Sequence, residues 1–288
     1  MSKDTQGFNR LLHLRRKLTS YVFVGLAVVA TAIAIIALLL IMRSLLVNGL
    51  GGINAHLFTM SQPAPGMEGG LLNAIVGSLV MCSLAMVLSL VVGILAGTWL
   101  AEYGEGSRLA ATVRFLNDVL LSAPSILVGL FVYQLMVRPF HGFSALAGSA
   151  ALALLATPVV TRTTEDIMRL QSAALREAGM ALGADKGKVI RAIIWRSSKS
   201  GLVTGGLLGF ARISGETAPL LFTSLGNPFL SFKLTQPMSA LPTTIFQFAM
   251  SAYDDWVKLA WAGALLIAVA VLSINTLGRA LIRGSKHS

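Results

Sequence analysis

Charge is scarce in this sequence. Asp, Glu, Lys and Arg make up 12% of its 288 residues, about half the roughly 25% of a soluble domain. That shortage excludes an intrinsically disordered chain and an ordinary soluble enzyme. Cysteine is scarcer still. Cys82 stands alone, which leaves no internal disulfide and no cysteine-based metal cage. It lies in the apolar run Val80-Met81-Cys82-Ser83-Leu84 and reads as a small packing residue. Catalytic signatures are missing too. No HExxH occurs, and His13, His56, His141 and His287 are scattered outside the apolar runs, which argues against a metal site. The stretch Gly183-Ala184-Asp185-Lys186-Gly187-Lys188 has neither the spacing of a phosphate-binding loop nor the Ser/Thr after lysine, so the chain has no such route to ATP hydrolysis. No intramembrane Asp pair or Ser/His set supports an intramembrane protease.

Apolar residues, at 55%, are abundant, and mean hydropathy is +0.75, so lipid is part of the solvent this chain expects. Its 28 glycines are spread through the apolar runs, as close helix packing in membranes requires. Six runs are long enough, or nearly so, to span a bilayer core of about 30 Å: residues 21–42, 72–100, 115–137, 143–160, 201–225 and 257–282. The first is too long for a cleavable signal and is closed by Arg43, so it reads as an uncleaved anchor.

The 23 basic residues outnumber the 12 acidic ones. Nucleic acid is one reading of such a surplus, but its distribution favours a multi-pass membrane protein. With alternate loops assigned to opposite sides, eighteen lysines and arginines fall on one side and four on the other, with Arg212 left inside the fifth run. Eight of the eighteen lie between the fourth and fifth runs. The positive-inside rule then places both termini and segment 161–200 in the cytoplasm. The chain divides accordingly into a basic cytoplasmic tail (1–20), a first span (21–42), an irregular external loop (43–70) rich in Gly and Pro, and a five-span core (71–283). Within the core, 161–200 is too long and too charged for a connector and reads as a docking surface. Its Thr163-Thr164-Glu165-Asp166 offers a helix N-cap and first-turn acids, and 173–196 is helical in pattern.

Inside the fifth run stand Arg212 and Glu216, four residues apart and so on one face of a continuous helix. Each ionised group costs about 2.5–3.5 kcal/mol at the bilayer centre on insertion scales, more than an i,i+4 pair returns. The two form either a self-neutralising structural pair or, with Thr217, the polar lining of a solute path. Pro219 cannot donate to the carbonyl of Gly215, which weakens the helix beside the charges. Broken helix at membrane depth belongs in protein or beside a wet cavity, and an arginine fork suits an anion such as phosphate or carboxylate. Gly201, Gly205 and Gly209 form a small-xxx-small packing stripe, and Gly93 and Gly97 read likewise. Asn73 and Asn275 read as interhelical hydrogen-bonders.

In segment 161–200, Glu177-Ala178-Gly179 is followed by Gly183 and then by Ile193. This resembles the EAA signature of ABC importer permeases, with Gly179 at the third position and Trp195-Arg196 where that family has Leu-Pro. Pro65-Gly66, Gly69-Gly70-Leu71-Leu72-Asn73, Pro124-Ser125-Ile126-Leu127-Val128-Gly129, Thr161-Arg162-Thr163-Thr164-Glu165 and Arg212-Ile213-Ser214-Gly215-Glu216-Thr217-Ala218-Pro219 resemble one branch of it, the phosphate-importer permeases of the PstA type. The resemblance implies an all-α, six-span permease of the type I importer fold in an inner membrane. It implies no cofactor bound by this chain, with ATP and Mg held by a partner ATPase. Glu177, Ala178, Gly179 and Gly183 would form the coupling site for a cytoplasmic ABC ATPase dimer. A sister permease subunit and an external phosphate-binding protein complete the implied assembly. Arg212 and Glu216 fall where the family has residues associated with transport. Two other functions stay open: import of another oxyanion such as sulfate or molybdate, and a proton-coupled secondary carrier using Glu216.

Overall fold

A computed structural model describes the backbone of residues 3–284 and the side chains of residues 16–280. The described residues form helices and no strand. In chain order these are α1 (Lys3–Leu50), α2 (Ala55–Thr59), α3 (Leu72–Glu102), α4 (Arg108–Ser122), α5 (Ser125–Val132), α6 (Ala145–Arg169), α7 (Ala173–Ala181), α8 (Lys186–Val189), α9 (Trp195–Ile213), α10 (Ala218–Thr223), α11 (Leu241–Ala249) and α12 (Asp254–Gly284). A π turn extends α5 over Tyr133–Val137, and another, Ile190–Ile194, joins α8 to α9 without a break. Among the described residues four helices are long and apolar enough to cross a bilayer: α1, α3, α6 and α12. The pair α4–α5, with the π turn that extends it, is apolar enough to count as a fifth if it is one span, and it is bent by 107°. The run 201–225 is divided between α9 and α10, which stop short of a single uninterrupted span.

Two expectations about span ends change. The first helix does not stop at Arg43 but continues to Leu50, since nothing breaks helical geometry before Gly51-Gly52. A charge marks where lipid ends, not where the helix does. The run 115–137 is not one straight helix. It turns at Ala123-Pro124, where the proline excludes its predecessor from helical backbone (Ala123 ψ 135°). The loop 43–70 is irregular apart from α2 and the last turns of α1.

α6 is the central element. Its first amides, orphaned as at every helix start, are capped by the Ser144 hydroxyl, which accepts from Ala147 N at 3.2 Å. The extended segment after α10 adds to this: Ala145 N donates to Gln236 O and Leu146 N to Leu234 O, both at 3.0 Å. The glycine stripes lie where expected. Gly93 and Gly97 of α3 seat Val160, Thr161 and Thr164 of α6 on one side. Gly201, Gly205 and Gly209 of α9 seat Ile167, Thr163 and Val160 on the other. The core between them is Met81, Cys82, Ala85, Leu152, Leu155, Ala156, Ile213 and Leu220, with Cys82 a buried packing residue. A second cluster of Leu57, Leu71, Leu241, Phe248 and Leu259 closes the opposite end, joining α2, α3, α11 and α12. α1 packs mainly on α12, where Gly49 and Gly52 meet Leu265, Lys258 and Ala262. Residues 16–44 of α1 are exposed.

The asparagines part company. Buried Asn73 links separate segments, donating to Asn227 O at 2.7 Å and accepting from Gln62 N at 3.2 Å. Asn275 instead donates to Val271 O of its own helix at 2.9 Å.

Candidate translocation path and coupling segment

The break in the fifth run is built from its own side chains. α9 ends at Ile213, where the Ser214 amide and hydroxyl both donate to Phe210 O, at 3.0 and 2.6 Å. Gly215 follows with open space around its Cα, and Glu216 N returns to Ile213 O at 3.2 Å. α10 then starts with Pro219 in its first turn, where a missing amide costs nothing. The chain passes so close to α5 here that a Cβ on Gly129 would lie 2.6 Å from the Pro219 Cα.

Arg212 and Glu216 therefore do not share a helix face. Arg212 lies in the last turn of α9, while Glu216 lies beyond the helix end, and the four-residue spacing no longer means one turn. No ion pair joins them, and neither side chain has a polar partner among the described residues. Arg212 is exposed and Glu216 half-buried, beside Thr217, whose hydroxyl reaches only Gly215 O, at 3.5 Å. Gly215 and Pro219 accordingly occupy a helix break, and Arg212 presents an uncommitted guanidinium next to it. No group of three or more His, Cys, Asp or Glu able to hold a metal ion occurs among the described residues.

The segment that carries Glu177–Gly183 is ordered by its caps. Ser172 accepts from Leu175 N to start α7, and Asp185 accepts from Lys188 N at 2.9 Å to start α8. Between them Gly183 takes φ +81°, with nothing within 4 Å of where a side chain would begin. It makes a left-handed turn, not a close approach. The close approach is at buried Gly179, where a Cβ would lie 2.9 Å from Val189 and from Ile193. The glycine in place of alanine lets α7 settle onto the π turn that carries Ile193. Glu177, Ala178, Ala181 and Leu182 face outward.

Residues 163–166 do not start a helix. They lie in the last turns of α6, and Glu165 is buried, its carboxylate held by Arg114 Nε at 2.7 Å and Arg169 Nη2 at 2.8 Å. Beside this triad Glu102, the last residue of α3, pairs with Arg176 of α7 at 2.7 Å, its side chain 3% exposed. Neither of the cross-helix pairs, Arg114–Glu165 and Glu102–Arg176, stands out in the sequence, because the partners are 51 and 74 residues apart. The weak local sign is a lone acid closing an apolar run. A cleft of about 450 Å³ lies here, among Glu102, Glu105, Arg169, Arg176 and Lys186.

Residues 89–287 match the family described as binding-protein-dependent transport system inner membrane component. A protein of Haemophilus influenzae named phosphate transport system permease protein PstA is 48% identical over 271 residues, covering 94% of this chain and 96% of that one. A protein of the same name from Yersinia pestis is 51% identical over 251 residues, covering 87% and 85%. The solved inward-facing structure of the MetNI methionine ABC transporter superposes with a TM-score of 0.64 at 18% identity, over 74% of this chain and 95% of that one. That likeness extends the type I importer permease architecture to this fold.

Proposed function

The chain belongs to the binding-protein-dependent transport system inner membrane components, and from that membership we propose that it is the permease subunit of an ATP-driven phosphate importer, forming part of the translocation path. The observation that carries the substrate is the near-full-length identity to proteins named for phosphate transport. The site agrees with it. Arg212 offers a charged fork, with no polar partner among the described residues, beside a broken helix, a group suited to a tetrahedral oxyanion in transit. Glu216 lies close by and keeps the attraction from becoming a trap, and Thr217 supplies a hydroxyl.

The chain is a transport subunit and not an enzyme in its own right. Energy comes from a cytoplasmic ABC ATPase dimer, which holds the ATP and Mg and docks on Glu177, Ala178 and the turn at Gly183. Phosphate arrives on an external binding protein, and a sister permease subunit supplies the other half of the path. Both termini and segment 161–200 face the cytoplasm of a cell whose inner membrane this chain crosses several times.

The test is uptake of labelled phosphate into vesicles carrying the assembled transporter, with ATP present or depleted. Uptake that needs ATP, is unaffected by excess sulfate or molybdate and survives collapse of the proton gradient supports the reading. Inhibition by those anions points to another oxyanion, and loss with the gradient points to a secondary carrier using Glu216. Impermeant thiol reagents applied to intact cells should reach a cysteine at Met60 and miss one at Lys188. Labelling at Lys188 overturns the orientation.

A further inference from the structure

Arg176 uses every donor it has. Its Nε donates to both carboxylate oxygens of Glu102, at 3.0 and 3.1 Å. Its Nη2 donates to Glu102 Oε1 and to Met168 O, both at 2.7 Å. Its Nη1 donates to Gln171 O at 2.6 Å and Ser172 O at 3.3 Å. A guanidinium carries five N–H groups in one rigid plane, so nothing is left over. The acceptors belong to three different elements: the end of α3, the end of α6, and the turn that leads into α7.

The placement is electrostatically natural. Met168 and Gln171 carry carbonyls at the C-terminal end of α6, where the helix dipole favours a cation. Lys186 of α8 repeats the arrangement on α3, donating to Glu102 O with its ammonium 4.4 Å from the Tyr103 ring centroid. Beneath both, Met168, Val189, Ile190 and Ile194 form one apolar cluster that packs against Leu175 and Ala101. Arg176 precedes Glu177 directly, and the outer face of α7 is exposed among the described residues.

Two connections carry a force from that outer face to the membrane helices: Gly179 seats α7 on the π turn that runs into α9, and Arg176 ties it to α3 and α6. α3 and α6 are locked together along Gly93 and Gly97, and α6 carries α9, and with it Arg212, along Gly201, Gly205 and Gly209. The geometry points to Arg176, oriented by Glu102, as the positioning residue that ties movement of the docking segment to α3 and α6, so that they move in step with α9 and Arg212. Arg176 meets neither solute nor nucleotide, and the assignment deepens the importer reading and rests on it.

Two variants of the assembled transporter test this. Arg176→Lys keeps the charge but has no fork to hold Glu102 and the α6 carbonyls at once. Glu102→Gln with Arg176→Met removes both charges and strands neither. We expect both to reach the membrane and retain the ATPase, to hydrolyse ATP in response to loaded binding protein, and to take up about tenfold less phosphate per ATP. A second readout needs no substrate. With Cys82 replaced by serine, the alkylation rate of a cysteine at Ser214 should depend on a non-hydrolysable ATP analogue in the parent complex and lose that dependence in both variants. A parent ratio of phosphate to ATP in either variant overturns the inference. So does failure of both to accumulate, which marks a folding brace. A parent complex that takes up no phosphate refutes the transport reading instead, and the alkylation rates still decide the role of Arg176.

Discussion

Replacing Gly97 by alanine adds one methyl group where α3 and α6 touch, and it isolates what that contact is worth. The new Cβ would lie 2.6 Å from Thr161 O and 2.6 Å from Thr164 Cβ, one a main-chain atom and the other the root of a buried side chain. Neither can swing aside. Ordinary contact begins at 3.4 Å, so the helices must part by about 0.8 Å at this level. Overpacking of this kind costs about 1–3 kcal/mol, and a gap of that size forfeits about a quarter to a half of each dispersion well around it. Part of the loss is offset, since alanine gains about 0.5–1 kcal/mol over glycine in a helix interior. The same substitution at Gly206 serves as the internal reference. It is also buried and helical, but its nearest neighbour is Leu90 Cδ2 at 3.1 Å, the movable end of a flexible side chain. The propensity gain cancels between the two, so Gly97→Ala should be about 1–3 kcal/mol less stable than Gly206→Ala. Denaturant titration of the purified protein in detergent, followed by tryptophan fluorescence, measures this. Equal midpoints for the two variants refute the close-packed α3–α6 seam.

At Gly183, valine should cost about 1–2 kcal/mol for a β-branched side chain held in left-handed backbone. Gly183→Val is expected to abolish ATP-driven uptake while the protein remains inserted, whereas Gly183→Asn, which tolerates that backbone, should keep it; uptake and co-purification of the ATPase check both. Arg212→Gln should leave the membrane level unchanged, because no ion pair is broken, and stop phosphate uptake; Arg212→Lys should be impaired for want of a two-pronged fork. Adding Glu216→Gln to Arg212→Gln should not restore uptake, and restoration would sink the path assignment.

The sequence announces those features that repeat at short range. Apolar runs mark α1, α3, α6 and α12, and glycines four residues apart mark the two faces of α6, because a helix repeats within its own length. The signature glycines 179 and 183 are visible as letters, yet which one makes the turn and which the close contact depends on where Ile193 packs. Glu102, Glu165, Arg114 and Arg176 are invisible as partners, since each needs the end of one helix brought to another 51 or 74 residues away. Thr163–Asp166 misleads because the same residues suit a helix start and an aqueous helix end, and only the length of α6 decides between them. The shared face expected of Arg212 and Glu216 assumes an unbroken helix, and the proline that argues for a path accompanies the break that removes it.

The bareness of α1 has a consequence for the order in which the protein is made. From Val22 to Met42 the one polar side chain is Thr31, and its hydroxyl is turned inward to Ala27 O at 2.7 Å. The residues that hold α1 to its chief neighbour, Gly49 and Gly52, meet a part of α12 that leaves the ribosome roughly 200 residues later, a wait of roughly 10–40 s at ~5–20 residues per second. Through that interval the helix sits in lipid without its mate, and a sequence with nothing left to satisfy is what allows it to wait.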